Sequence, residues 1–202
     1  MLIGVAGAKR SGKDTVGDFL CEHHGYERLS FAQPLKDMLR CLYREVGLSE
    51  DEIEDRISGS LKDKPDPKFI DGVQPRHLMV TLGTEWGREQ IADQLWYWVV
   101  QRKVEIMRAK GIQKIVITDV RFANELAMIK NLGGITAVVR RKTVEPRMDR
   151  WTRFKRFVTG RSIHPSETLW TKTALFDHVL DNNGDLRDLH YKIINTLWIT
   201  KD

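Results

Sequence analysis

Short apolar strands alternating with amphipathic helices predict a three-layer α/β fold around a parallel sheet. Three observations carry that prediction. Leu2–Ala6, Lys114–Thr118 and Gly134–Val139 are compact apolar runs of strand length. The stretches between them carry apolar residues at helical spacing. The first run ends in a glycine-rich turn that passes straight into a helix.

Taken in order, Leu2-Ile3-Gly4-Val5-Ala6 reads as a buried strand, and a helix begins near Gly12, with Val16, Phe19 and Leu20 on one face. Pro34 opens a second helix at a position that tolerates proline, with Leu35, Met38, Leu39 and Leu42 sharing a face. The stretch 49–75 is polar, acidic first and then broken by Pro65, Pro67 and Gly72, so it reads as an excursion from the core. Helical patterning resumes over Arg76–Arg88 and again over Asp93–Lys110. Lys114–Thr118 is the second strand, closed by Asp119, and Gly134–Val139 the third. His178-Val179-Leu180 is a last short strand and Leu186–Leu197 a last helix. The expectation is one domain over residues 1–202, with two excursions from the core, near 49–75 and 140–168.

Composition narrows the setting. Of the 202 residues, 41% are hydrophobic and 30% charged, within the range of ordinary globular chains. Cys21 and Cys41 show neither metal-ligand spacing nor a disulfide framework, so a reducing compartment is expected. No apolar run approaches the roughly 18 residues of a membrane span, and Leu2–Ala6 is too short for a signal-peptide core. The expected location is cytoplasmic, with no membrane partner. A net charge of +5 favours an anionic ligand without choosing among nucleotide, nucleic acid and anionic surface.

The strongest motif is Gly7-Ala8-Lys9-Arg10-Ser11-Gly12-Lys13-Asp14-Thr15. Phosphates need closely spaced backbone N–H donors, and glycine lets the chain wrap near enough to supply them. The helix that follows aims its positive N-terminal end at the same place, and Lys13 can reach the β- and γ-phosphates. The motif falls between a predicted strand and a predicted helix, as a P-loop requires; an unliganded glycine-lysine turn lacks that context. Asp14 stands where the usual pattern places the hydroxyl that touches Mg²⁺, and Thr15 follows one place later. Asp14 then acts through a bound water or as a charge at the helix N-terminus.

Beyond the loop, Ser30-Phe31-Ala32-Gln33-Pro34-Leu35-Lys36, Leu82-Gly83-Thr84-Glu85-Trp86-Gly87-Arg88 and Thr118-Asp119-Val120-Arg121-Phe122-Ala123-Asn124-Glu125 follow in order. His164-Pro165-Ser166-Glu167 and Asp181-Asn182-Asn183-Gly184-Asp185-Leu186 complete the set. Together with residues 4–15 these blocks resemble the bacteriophage deoxynucleoside monophosphate kinases over nearly the whole chain. The Asn-Asn-Gly turn also resembles that of dephospho-coenzyme A kinases, where it faces adenine. The resemblance implies a P-loop NTPase fold with a core, an acceptor-binding excursion at about 49–75 and a lid at about 140–168. It implies transfer of the ATP γ-phosphate onto a deoxynucleoside monophosphate with Mg²⁺, adenine contacts from Asn183 and Gly184, and an acceptor role for Glu167.

The remaining candidates each have a plainer reading. Lys36 and Arg40 share a helix face and could grip the acceptor phosphate, or simply form a solvated basic face. Arg76 and Arg88 suit a monoester phosphate through their paired donors, although a single arginine is more often surface. Trp86, between Glu85 and Gly87, is the candidate for stacking on a base, whereas Trp96 reads as core. Asp119 ends a parallel strand, where ligands of open α/β sheets bind; it can hold Mg²⁺ through water or cap the next helix. Arg121 would point toward the same cleft. The run Arg140-Arg141-Lys142, Arg147, Arg150, Arg153, Lys155-Arg156 and Arg161 would neutralise the transferring phosphoryl group, or be a solvated basic face.

A monophosphate acceptor brings an oxygen already ionised near neutral pH, so positioning and charge neutralisation suffice. Lys13 would bridge the β- and γ-phosphates, Arg10 the donor and acceptor phosphates, and Asp119 would hold the metal. Rival readings are a kinase of dephospho-coenzyme A or phosphomevalonate, a scaffold that binds ATP without transferring it, and a nucleic-acid module. The last would use Trp151, Phe154 and Phe157 interleaved with the basic residues. No nucleic-acid partner is expected of the kinase, and a homodimer is left open.

Overall fold

The computed structural model describes residues 1–142 and 169–197, and shows the predicted α/β fold. The elements are β1 (Leu2–Gly7), α1 (Lys13–His24), β2 (Glu27–Leu29), α2 (Gln33–Glu45), α3 (Glu50–Ile57), α4 (Pro75–Thr81), a π-helix (Leu82–Ile91), α5 (Leu95–Ala109), β3 (Ile115–Ile117), α6 (Ala123–Asn131), β4 (Ile135–Arg140), β5 (His178–Asp181) and α7 (Leu186–Thr196), with short 3₁₀ turns between. They build two compact units: Met1–Ser30 with the chain from Val104 onward, and Phe31–Lys103.

In the first unit the five strands run in parallel in the order β2-β3-β1-β4-β5. The sheet is buried on both faces, so its strands are apolar without alternation. Ile3, Val5, Val116, Ala137, Val139 and Leu180 pack on one face against Val16, Phe19 and Leu20 of α1 and Leu189 and Ile193 of α7. Gly4 turns to the other face, where Ile129 of α6 lies so close that a side chain at Gly4 would collide with it. Helix, sheet and helix make the three layers.

β2 was not expected from the sequence. Glu27 and Arg28 are charged and exposed and Leu29 is partly buried, as suits an edge strand, and one leucine makes no strand-like apolar pattern.

The second unit has a core of its own, formed by Leu35, Leu39, Tyr43, Ile53, Ile57, Phe69, Met79 and Trp96. Of the face expected on α2, Leu35 and Leu39 are buried, while Met38 and Leu42 are 42% and 43% exposed and Tyr43 takes their place inside. The excursion expected at 49–75 belongs to this larger unit. Ser49 caps α3, accepting from Glu52 N–H at 3.4 Å while its own N–H donates to the Glu52 carboxylate at 2.9 Å. Ile53 and Ile57 then fall on one face and are fully buried. Each contributes about 1.5–3 kcal/mol of apolar burial. The expected lid lies mostly outside the described residues, which resume at Leu169.

Candidate functional site

Parallel strands bring all their carboxyl ends to one edge, and in this sheet that edge collects the chemistry. β1, the central strand, delivers the glycine-rich loop. Toward one side β3 delivers Asp119 and β2 delivers Ser30; toward the other β4 delivers Arg140 and β5 delivers Asn182.

The loop is built by backbone. Gly12 caps α1 in the left-handed region at φ 104° with no side-chain cap, so the first-turn N–H groups are left for an outside acceptor. Arg10, at φ 67°, takes a conformation uncommon for a residue with a Cβ. Ser11 N–H closes the turn on the Ala8 carbonyl at 3.1 Å. The Ser11 hydroxyl is buried and has no hydrogen-bond partner among the described residues. Lys9 and Arg10 are exposed, while the Lys13 side chain is largely covered and lies 3.8 Å from the Asp14 carboxylate. Asp14 is mostly exposed and Thr15 partly so. An orphaned hydroxyl, an uncapped helix N-terminus and a cradle kept open by Gly7 and Gly12 fit a bound polyphosphate.

Asp119 is half-buried and accepts from the Ser30 hydroxyl at 2.6 Å. One carboxylate beside a hydroxyl is an oxygen donor set that suits Mg²⁺, which keeps waters and shares substrate phosphates. Among the described residues no group of three or more His, Cys, Asp and Glu could hold a metal by itself. The N-cap position of α6 is Phe122, and Glu125, buried, accepts from the N–H groups of Arg121 and Phe122 at 2.8 and 3.1 Å. The Arg121 side chain is exposed.

On the far side, Asn182 is buried and its Nδ2 donates to the Ser11 carbonyl at 2.8 Å. Asn183 accepts from Lys142 N–H at 2.9 Å, and Gly184 lies tight against the Asp188 carboxylate. Sequence reasoning singled out Asn183 and Gly184 but not Asn182 or Ser30, although both stand in the blocks that carry the resemblance. Arg28 was also missed: from β2 it donates to the Asp14 carbonyl at 3.1 Å and the Asp18 carboxylate at 2.9 Å, steadying the first turns of α1. A lone arginine in a polar strand gives no signal.

Lys36, Arg40, Arg76, Trp86 and Arg88 all lie in the second unit. Lys36 reaches the Ser58 hydroxyl at 3.4 Å. Arg40 is held by Glu54 and Asp37 at 2.7 and 2.8 Å, and Arg76 pairs with Asp63. Arg88 is buried and donates to the Asp93 carbonyl at 3.0 Å. Trp86, 36% exposed, lies with its ring 6.4 Å from that of Trp96, which is buried as expected and donates to the Gly83 carbonyl at 2.7 Å. The Leu82–Arg88 block therefore sits in the π-helix, a rare form that recurs at functional sites. Glu167 lies outside the described residues, as do Arg147, Arg150, Arg153, Lys155, Arg156 and Arg161.

Residues 1–62 match the family model described as deoxynucleotide monophosphate kinase. A provisionally named deoxynucleotide monophosphate kinase of Acanthamoeba polyphaga mimivirus is 28% identical over 209 residues, spanning 96% of this chain and 95% of the relative. Among solved structures, the dephospho-CoA kinase from Campylobacter jejuni superposes with a TM-score of 0.50 at 13% identity, over 96% of this chain and 94% of that one. That is a likeness of fold alone, and it agrees with the parallel sheet and loop in making this a P-loop kinase fold. With the motifs, the matched first 62 residues and a full-length relative all pointing one way, the chain is similar to the deoxynucleotide monophosphate kinase family.

Proposed function

We propose that this chain transfers the γ-phosphate of ATP to a deoxynucleoside monophosphate, giving ADP and the deoxynucleoside diphosphate. The observation that carries the reading is the glycine-built loop, with its orphaned Ser11 hydroxyl, at the carboxyl end of the central strand. The family resemblance supplies the acceptor.

An ionised phosphate oxygen of the acceptor attacks the γ-phosphorus; the bond to the β–γ bridging oxygen breaks, and ADP leaves with that electron pair. No general base is needed, so the protein's work is positioning and charge neutralisation. Backbone N–H groups of the loop and of the first turn of α1 hold the β-phosphate. Lys13 neutralises the β- and γ-oxygens, and Arg10 spans donor and acceptor phosphates. Asp119, oriented by Ser30, would hold Mg²⁺, which would supply charge neutralisation at the phosphates. Arg121 stands near Asp119 in sequence and adds positive charge. Asn183 and Gly184 border the adenine. In the second unit Lys36, Arg40, Arg76 and Arg88 serve the acceptor phosphate and Trp86 its base. Arg40 and Arg76 already carry carboxylate partners, so Lys36 has the most charge to offer a ligand.

Among the described residues no helix is long and apolar enough to cross a membrane. The function is tested by coupled ADP release with ATP and Mg²⁺ over the deoxynucleoside and ribonucleoside monophosphates, dephospho-coenzyme A and phosphomevalonate. Turnover with one or more deoxynucleoside monophosphates is expected. Turnover confined to either of the last two compounds would reassign the acceptor, and ADP release without any acceptor dependence would end the transferase reading.

A further inference from the structure

Asn182 stands outside the residue set just proposed, yet it grips the loop from across the sheet edge. It follows the last residue of β5 and is 8% exposed. Its backbone N–H donates to the Arg140 carbonyl at 2.7 Å, which anchors it to β4, and its side chain then reaches the Ser11 carbonyl at 2.8 Å. The next residue strengthens the anchor, since Asn183 accepts from Lys142 N–H where the chain leaves β4.

A trans peptide is planar, and its C=O and N–H point in opposite directions. Drawing the Ser11 carbonyl toward Asn182 therefore turns the Gly12 N–H the other way. The neighbouring groups leave little freedom, because Ser11 N–H is committed to Ala8 and the Gly12 carbonyl accepts from Val16 N–H at 3.0 Å. Gly12 is matched to this contact: at φ 104° a Cβ would be strained, and it would also run into the Asn182 amide nitrogen. We propose that Asn182 is a positioning residue for the nucleotide. It sets the Ser11–Gly12 peptide so that Gly12 N–H joins the first-turn donors of α1 in binding the phosphates. The inference rests on reading the loop as a phosphate cradle.

The experiment measures binding of a non-hydrolysable ATP analogue with Mg²⁺, without acceptor, by calorimetry. It compares wild type with Asn182→Ala and Asn182→Asp between about pH 8 and about pH 5, a window that approaches carboxyl titration from above. Asn182→Ala should weaken binding at least about tenfold, while the KM for the monophosphate in turnover stays within about twofold. Asn182→Asp keeps the shape but places an ionised carboxylate against a carbonyl at high pH; once protonated, its O–H can donate to Ser11. Its deficit relative to wild type should therefore be largest near pH 8 and narrow as the pH falls. Dividing by wild type at each pH removes the titration of the nucleotide itself. Should Asn182→Ala fail to fold, the pH profile of Asn182→Asp carries the test alone. Wild-type affinity for Asn182→Asp near pH 8 would overturn the inference, as would a pH-independent loss that raises the KM values for ATP and acceptor equally. A wild-type protein that binds no nucleotide would overturn the function itself, a result distinct from either.

Discussion

The glycine-rich loop of the first unit and the charged groups of the second are held in different ways. Around the sheet, the loop from Gly7 to Thr15 is shaped by backbone: left-handed glycine, an uncapped helix end and carbonyls held by Asn182 and Arg28. Over Phe31–Lys103, side chains hold one another. Arg56, 2% exposed, makes a two-bond pair with the fully buried Asp66 at 2.6 and 2.9 Å and donates a third bond to the Glu52 carbonyl at 2.8 Å. Arg40 and Arg76 are likewise engaged by carboxylates. A site built from backbone keeps its shape without a ligand, because the fold itself orients the donors. In the second unit Arg40, Arg56 and Arg76 are each tied to a carboxylate, so removing one of those carboxylates should act on stability before it acts on recognition.

The sharpest way to break that contrast is Asp66→Ala. It strands a buried guanidinium, and losing one partner of a buried pair costs about 3–5 kcal/mol. Amide hydrogen exchange should accelerate through α2 and α3 while β1, β3 and β4 keep their protection. Uniform acceleration across both units would show that they unfold as one. Gly87→Ala comes next: its Cβ would sit 2.6 Å from the Trp96 indole, and overpacking of that kind costs about 1–3 kcal/mol. The melting temperature should fall and the tryptophan emission of the Trp86–Trp96 pair should change. An unperturbed variant would mean that the π-helix is not held by that contact.

Smaller still are the acceptor effects. Lys36→Ala should raise the KM for the monophosphate about tenfold, with that for ATP changed little, as loss of one charge-assisted contact implies. Arg76→Ala should do less, since Asp63 already shares that guanidinium. Equal effects on both substrates would contradict the assignment.

The mildest prediction concerns acid. Hydrogen bonds from Arg56 outweigh burial and hold the Asp66 carboxyl below its ordinary range. At Asp177 burial pushes the carboxyl up, but Lys130 and Thr136 together bring it below. A carboxyl depressed on folding adds stability above its unfolded pKa of about 3.9, and that stability is lost as the pH falls further. Unfolding midpoints should therefore hold steady down to about pH 4–5 and drop below. In Asp66→Asn the drop should be shallower. An identical slope would remove Asp66 from the account.

What could be read from sequence follows the same division. The loop was legible because its requirements are printed as residue types at fixed spacing: Gly7, Gly12 and Lys13 between an apolar strand and an amphipathic helix. Asp119 was legible as an acid at the end of a strand. Asn182 and Ser30 were present in recognised blocks, but their partners Ser11 and Asp119 are 171 and 89 residues away, and only the sheet order brings them together. β2 escaped because an edge strand of three residues with a single apolar one, Leu29, carries no pattern. The few buried residues within 49–75 escaped because Pro65, Pro67 and the surrounding charges mask Ile53, Ile57 and the Arg56–Asp66 pair. Periodicity cannot separate a π-helix from an α-helix over ten residues, so Leu82–Ile91 read only as helical.

A backbone-built loop that supports phosphoryl transfer should do so through Lys13. The most direct measurement follows ADP and deoxynucleoside diphosphate together, with ATP, Mg²⁺ and a deoxynucleoside monophosphate, for wild type and Lys13→Met. The two products should appear in equal amounts in wild type. In the folded variant the rate should fall at least about a hundredfold, as loss of a positive charge at the transferring group requires. Turnover near wild type in Lys13→Met, or ADP formed without the matching diphosphate, would contradict it.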